Sequence, residues 1–259
     1  MDIELESEPI IISHNETKRS KAKRIKTKQK DDGNYKHKKT LEEGQNMELC
    51  IPHNFFVHDP MQRQVSYKDD IFSNKIVENR AYEQYFWSAD VVRRIRDALI
   101  FTDEGSCCCF TTPSLTEGFL EQGRDEPLLD IDIRFNYLKL FQQFDIKNPH
   151  EPGGMENFKV IIIDPPFFNI SIMELFHATN VITNNNFNTN IIIGFLKRYE
   201  YALLETFKPY GISETSMNLE YAHIKPNKWP NFTLYSNIDL PGIKRIPSKH
   251  NYKCRKLAV

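Results

Sequence analysis

The chain has 259 residues, 40% of them hydrophobic, enough apolar material for one globular domain with a real core once polar flanks are set aside. Its 34 basic and 35 acidic residues nearly cancel, so the molecule as a whole advertises no polyanionic partner, and no apolar run approaches the length needed to cross a bilayer. Cys107, Cys108 and Cys109 are consecutive while Cys50 and Cys254 stand alone, which argues against a disulfide framework and, with no Cys-x-x-Cys pair, against a zinc site.

The first residues are acidic, with no charged-then-apolar signal, so the chain reads as soluble and intracellular, with cytoplasm, nucleus and nucleolus all open. Residues 17–39 are dense in lysine and arginine and almost free of apolar side chains. Such a segment cannot repay its ordering entropy, so 1–46 is expected to be a disordered basic tail. It could serve as a nuclear import signal or a phosphate-binding arm, or only keep the chain soluble. The remainder, 47–259, is expected to be the folded domain with its core over about 78–243, after an irregular lead-in over 51–70.

Ser88 can cap a helix that places Val91, Val92, Ile95, Ala98 and Leu99 on one face. A strand is expected over 107–110, a short helix over 114–122, a strand over 128–133, and a helix carrying Phe135, Leu138 and Phe141 to the core. Residues 148–157 hold Pro149, Pro152, Gly153 and Gly154 and read as a loop. The apolar run Val160-Ile161-Ile162-Ile163 reads as a strand, followed by a helix near 170–180, an asparagine-rich loop over 184–190, a buried strand over 191–195 and a strand over 232–236. The stretch 244–259 is basic and weakly patterned. Strands alternating with helices predict an α/β fold: a parallel sheet, doubly wound, with helices on both faces.

The most informative feature is Asp164-Pro165-Pro166-Phe167 at the end of the 160–163 strand. Open α/β sheets bind ligands at the carboxyl ends of their strands. A carboxylate, two stiff prolines and an aromatic face there can hold a planar amine beside a methyl donor, which points to an enzyme that methylates nitrogen. Asp-Pro-Pro also simply ends strands, proline stopping the ladder and aspartate turning the chain. After the first strand comes Thr111-Thr112-Pro113-Ser114, without the Gly-x-Gly-x-x-Gly of dinucleotide sites, which leaves S-adenosylmethionine, a cofactor with no pyrophosphate, compatible. Asp130 and Asp132 fall on one side of an extended strand, where a carboxylate can accept both hydroxyls of a ribose; the plainer reading is a helix-start aspartate paired with Arg134.

Taken together, Gln84-Tyr85-Phe86-Trp87-Ser88, Thr112-Pro113-Ser114, Leu129-Asp130-Ile131-Asp132-Ile133-Arg134-Phe135, Asp164-Pro165-Pro166-Phe167 and Leu234-Tyr235-Ser236-Asn237 resemble the eukaryotic "probable N6-adenine methyltransferase" family. That family includes a zinc-finger methyltransferase of large-subunit ribosomal RNA adenine and a lysine methyltransferase of translation elongation factor 1A. Glu78-Asn79, Phe167 in place of tyrosine, and Asn237-Ile238 followed by Leu240-Pro241 favour the ribosomal RNA enzyme, although its flanking zinc modules are absent. A basic tail in their place, an RNA-recognition partner subunit, or an incomplete gene product would each account for this.

The resemblance implies a class I methyltransferase with S-adenosylmethionine across the strand ends. Gln84, Tyr85 and Phe86 would line the cofactor pocket and Thr112 and Pro113 would pass beneath its methionine portion. Asp130 would hold the ribose, with Asp132 as the reserve candidate, and Asp145 would reach the cofactor's adenine. The Asp164 carboxylate and the Pro165 carbonyl would accept hydrogen bonds from the substrate amine, Pro166 would keep the loop rigid, and Phe167 would stack on an extruded base. RNA or elongation factor 1A would be the partner, with no membrane involved.

Overall fold

The computed structural model describes residues 66–73, 75–102, 106–154 and 158–247. The expected basic tail, most of the lead-in, Cys50, Cys254 and the end of the basic carboxy-terminal stretch lie outside these residues.

Among the described residues, seven strands form one sheet: β1 (Cys107–Phe110), β2 (Leu128–Asp130), β3 (Phe141–Gln143), β4 (Val160–Ile163), β5 (Asn190–Leu196), β6 (Ser213–Asn218) and β7 (Phe232–Ser236), in the order β3-β2-β1-β4-β5-β7-β6. The first five run parallel, and β7 is antiparallel to both β5 and β6. Every residue of β1 and of β4 is buried, as an apolar run must be in a sheet covered on both faces.

Four α-helices accompany the sheet in this part of the chain: α1 (Ala89–Thr102), α2 (Pro113–Leu120), α3 (Ile172–Ile182) and α4 (Glu200–Thr206). Ser88 Oγ accepts the Val91 N–H at 3.3 Å and caps α1, whose Val91, Val92, Ile95, Ala98 and Leu99 are buried. Proline at its first position starts α2, and a reciprocal capping box between Ser171 and Glu174 starts α3. The chain leaves β1 toward β2 and leaves β4 toward β5, in opposite directions across the sheet. Right-handed crossovers therefore put α2 and α3 on opposite faces, α1 packing on α2 and α4 on α3. The reversal point falls between β1 and β4, where such sheets bind ligands.

The α1–α2 contact depends on Gly118, because a Cβ there would lie 2.4 Å from Val92 Cγ1. Gly118→Ala is expected to force the two helices apart and destabilise the fold by about 1–3 kcal/mol, the usual cost of overpacking. A denaturant titration checks this.

Two expectations need correction. The helix expected through Phe135, Leu138 and Phe141 is absent: a 3-10 turn, Ile133–Phe135, leads to strand β3, which starts at Phe141. Phe135 and Leu138 still reach the core, and their spacing mimics a helix because the short link from β2 to its parallel neighbour β3 repeatedly turns inward. The strand expected over 128–133 ends at Asp130, and Ile133 is 59% exposed. The asparagine-rich loop is built around a tight turn. Asn184 and Asn185 take φ of 49° and 56°, a conformation asparagine tolerates, and the Asn185 N–H bonds the Asn180 carbonyl at 2.8 Å. No helix among the described residues is long and apolar enough to cross a membrane.

Candidate active site

A cleft of about 300 Å³ opens at the carboxyl ends of β1 to β4, walled by Thr111 and Pro113 after β1, Asp130 and Ile131 after β2, residues 144–147 after β3, and Asp164 to Phe167 after β4. Its roof is the segment 81–85, ahead of α1. Glu83 ties this roof to the loop after β4. Its backbone is left-handed, at φ 52°, and one carboxylate oxygen accepts the N–H groups of Phe168 at 2.9 Å and Asn169 at 3.0 Å.

Nine of the twelve residues expected at the site line this cleft: Gln84, Tyr85, Pro113, Asp130, Asp145, Asp164, Pro165, Pro166 and Phe167. The other three lie outside its lining. Phe86 is 1% exposed and packs its ring on Phe72, behind the wall. Thr112 is buried, its hydroxyl 3.4 Å from the Ile162 carbonyl, and stands directly before α2 without a side-chain capping hydrogen bond. Asp132 is consumed by structure: its carboxylate accepts hydrogen bonds from Gln84, from the Arg134 guanidinium and from the Arg134 N–H. Burial pushes the Asp132 carboxyl up, but the Arg134 contacts outweigh it and hold the group below the usual carboxylate range. Asp132 thus fixes the loop that presents Asp130.

Asp130 behaves in the opposite way. One of its oxygens accepts the Asp132 N–H at 2.9 Å, and burial pushes the carboxyl up to about 7. The unfolded chain titrates this group near 3.8, so the folded state binds the proton more tightly and loses stability as pH rises from about 4 to 7. Above pH 7 the charged form costs the fold ~4 kcal/mol at most. Asp130→Asn is therefore expected to raise the melting temperature at pH 8 and to give no advantage at pH 4, while weakening cofactor affinity about tenfold through the loss of a charged acceptor. Melting curves at both pH values and titration with S-adenosylhomocysteine check the two halves.

Asp164 keeps part of its surface toward the cleft, but its carboxyl is enclosed enough that burial pushes it well above the ordinary range. Tyr221, in the loop between β6 and β7, donates its hydroxyl to Asp164 Oδ1 at 2.8 Å. Tyr85 and Tyr221 meet edge to face with centroids 6.3 Å apart, and Phe167 packs on Tyr85, Phe195, Tyr221 and Phe232. Phe167 is only 1% exposed, so the face expected to stack on a base is covered in this state. Asp145, half-buried, accepts the Lys147 N–H at 2.9 Å in a turn at the cleft's far end.

Tyr221, Glu83 and Gly194 belong to this constellation and were not expected there. A Cβ on Gly194 would sit 2.7 Å from Asp164 Oδ1 and 2.7 Å from Leu219 Cδ1. The lone glycine within the apolar strand β5 was its sequence signal, since such a glycine often marks a close approach. Tyr221 and Glu83 had no local signal.

The sheet order and the cleft at its reversal point define the class I S-adenosylmethionine-dependent methyltransferase fold. The chain belongs to the family described as probable N6-adenine methyltransferase, whose model matches residues 78–240, and it is a methyltransferase that uses S-adenosylmethionine. Solved structures of similar shape include a Thermoplasma acidophilum protein, 12% identical with a TM-score of 0.38 over 67% of this chain and all of that one. Another is a TehB-like S-adenosylmethionine-dependent methyltransferase from Corynebacterium glutamicum, 12% identical with a TM-score of 0.37 over 65% of this chain and all of that one. These likenesses are weak, and the family match carries the assignment. No curated protein matches the chain.

The cleft's donor set fits this cofactor. Asp130 offers a buried carboxylate with one oxygen committed to the loop, suited to ribose hydroxyls, and Ile131, Phe144 and Ile146 beside it give an apolar slot suited to a purine. Asp145 borders that slot. Among the described residues no cluster of His, Cys, Asp or Glu is placed to hold a metal ion.

Proposed function

We propose that this enzyme methylates the N6 amine of adenine in RNA, large-subunit ribosomal RNA being the substrate the sequence resemblance favours. The observation that carries the reading is the shared cleft: the Asp164 carboxylate and the Asp130 carboxylate line one cavity at the reversal point of the sheet. Bound S-adenosylmethionine supplies an electrophilic methyl group on a sulfonium sulfur.

The protein's part is alignment and exclusion of water. Adenine's exocyclic amine is a poor nucleophile because its lone pair is delocalised into the ring. A hydrogen bond from the amine to the Asp164 carboxylate draws electron density back to nitrogen. Two consecutive prolines keep the loop after β4 rigid and contribute no N–H to compete for the acceptors. The methylated amine has a proton to lose, and Asp164 is a suitable receiver because burial raises its proton affinity.

The surroundings of the motif support a nucleic acid. Arg198, exposed just after β5, lies over Tyr199 with its guanidinium carbon 4.6 Å from the ring centroid and 5.8 Å from that of Phe168, the residue after the motif. A flat cation between aromatic rings suits a flanking base and its phosphate. Lys147 adds a cation to the cleft wall.

One observation favours a second reading, methylation of a lysine on a protein such as elongation factor 1A. Phe167 is packed on several sides, and a slender lysine side chain reaches Asp164 with less displacement of that ring than a purine does. Total RNA and total protein incubated together with enzyme and methyl-labelled cofactor separate the two. N6-methyladenosine in the RNA digest is the expected product. Label confined to lysine would replace the first reading with the second, and label in neither would overturn both.

A further inference from the structure

Asp164 needs a fixed orientation, because a carboxylate that rotates offers the amine a moving acceptor. Its Oδ1 sits at the centre of a closed arrangement. The Tyr221 hydroxyl donates to it at 2.8 Å, and Gly194 stands so close that a Cβ would come within 2.7 Å of it. Tyr221 is itself fully buried, and Phe167, Phe232 and Tyr85 hold its ring edge on. Its backbone is fixed too: Trp87 and Tyr221 form an antiparallel bridge, with the Ser88 N–H on the Glu220 carbonyl at 2.8 Å and the Ala222 N–H on the Phe86 carbonyl at 2.9 Å.

Trp87 completes the arrangement. Its Cζ2 lies 3.4 Å from the position of a Gly194 Cβ, and its buried indole N–H closes no hydrogen bond in this geometry. That N–H nevertheless acts on the Asp164–Tyr221 pair, opposing with the Tyr221 hydroxyl the upward push of burial on Asp164. Burial and the neighbouring carboxylate hold the Tyr221 phenol well above its ordinary range, so it stays a donor.

We propose that Tyr221 is a positioning residue: seated by its backbone bridge to Trp87, its hydroxyl clamps the Asp164 Oδ1 that the bare Gly194 makes room for, and leaves Oδ2 to meet the substrate amine. The proposal rests on the methyl-transfer reading of the cleft. Tyr221 does not touch the substrate and acts only through Asp164.

The test compares wild type with Tyr221→Phe, which keeps the ring and removes the donor. The variant is expected to bind S-adenosylhomocysteine like wild type and to retain its KM for RNA. Its kcat should fall about ten- to a hundredfold, as for loss of one hydrogen bond to a charged group. The acidic limb of its pH–rate profile should move to higher pH, because Asp164 loses a donor that stabilises its anion. In an Asp164→Asn background the same change should add little. A fluorinated tyrosine placed at 221 keeps the fold and strengthens the donor, so it should move the acidic limb the other way. Carbon-13 NMR of the Asp164 carboxyl in the protein without substrate reads the same shifts and does not depend on knowing the substrate. Unchanged kcat, limb and carboxyl titration in both variants would overturn the clamp, as would an undiminished loss in the Asp164→Asn background. Wild-type enzyme that methylates no RNA, together with a carboxyl titration that responds to Tyr221, would sink the substrate reading and leave the clamp standing.

Discussion

Asp164→Asn is expected to reduce kcat by at least about a thousandfold while leaving S-adenosylhomocysteine affinity within about twofold. The asymmetry follows from where the residue acts. Asp164 lies at the end of β4, while the cofactor's ribose is assigned to Asp130 at the end of β2, so removing the Asp164 charge leaves the assigned cofactor contacts in place. The amide keeps the shape and can still receive the Tyr221 hydroxyl on its oxygen, so the fold survives. What is lost is the anion that localises the amine lone pair and receives its proton. Loss of general base assistance amounts to roughly 10²–10⁴-fold, and loss of a charged acceptor compounds it. Titration calorimetry with single-turnover methyl transfer measures both quantities on one preparation.

Gly194→Ala is the second large effect, and it arises without replacing any residue that does chemistry. A methyl group there collides with Asp164 Oδ1 and Leu219 Cδ1. Leu219 and the neighbouring Trp87 are fully buried and cannot swing aside, so the carboxylate is what moves. The expected outcome is a fall in kcat of about a hundredfold or more, with about 1–3 kcal/mol of destabilisation from overpacking. Melting temperature and kcat measured together distinguish this from unfolding: near-complete loss of rate in a protein that remains folded at the assay temperature is the predicted signature.

The parts of this site legible in sequence are those whose chemistry is local. Val160 to Ile163 followed by Asp164-Pro165 declares a buried strand and its end. The runs at 107–110 and 232–236 match β1 and β7 residue for residue. Ser88 and the inward face of α1 follow from a cap and a helical period. Other features escaped for physical reasons. Strand β6 alternates Thr215 and Met217 inward against polar neighbours, a weak signal beside the polar residues around it. Phe135, Leu138 and Phe141 imitate a helix because a tight link can also turn every third residue inward. Asp130 and Asp132 look equivalent on an extended strand, and only the fold of the loop separates one poised at about 7 from one locked to Arg134. Tyr221 reaches Asp164 across 57 positions, through a strand pairing that no single stretch of sequence specifies.

The central claim is that Asp130 and Asp164 serve one ligand pair, cofactor and amine, in a single cleft. A crystal structure with sinefungin, a cofactor analogue carrying an amine where the transferable methyl would be, tests this most directly. The prediction is a ribose bonded by Asp130 with the analogue's amine directed toward the Asp164 carboxylate. Sinefungin bound with its ribose away from Asp130, or with its amine turned away from Asp164, would contradict it.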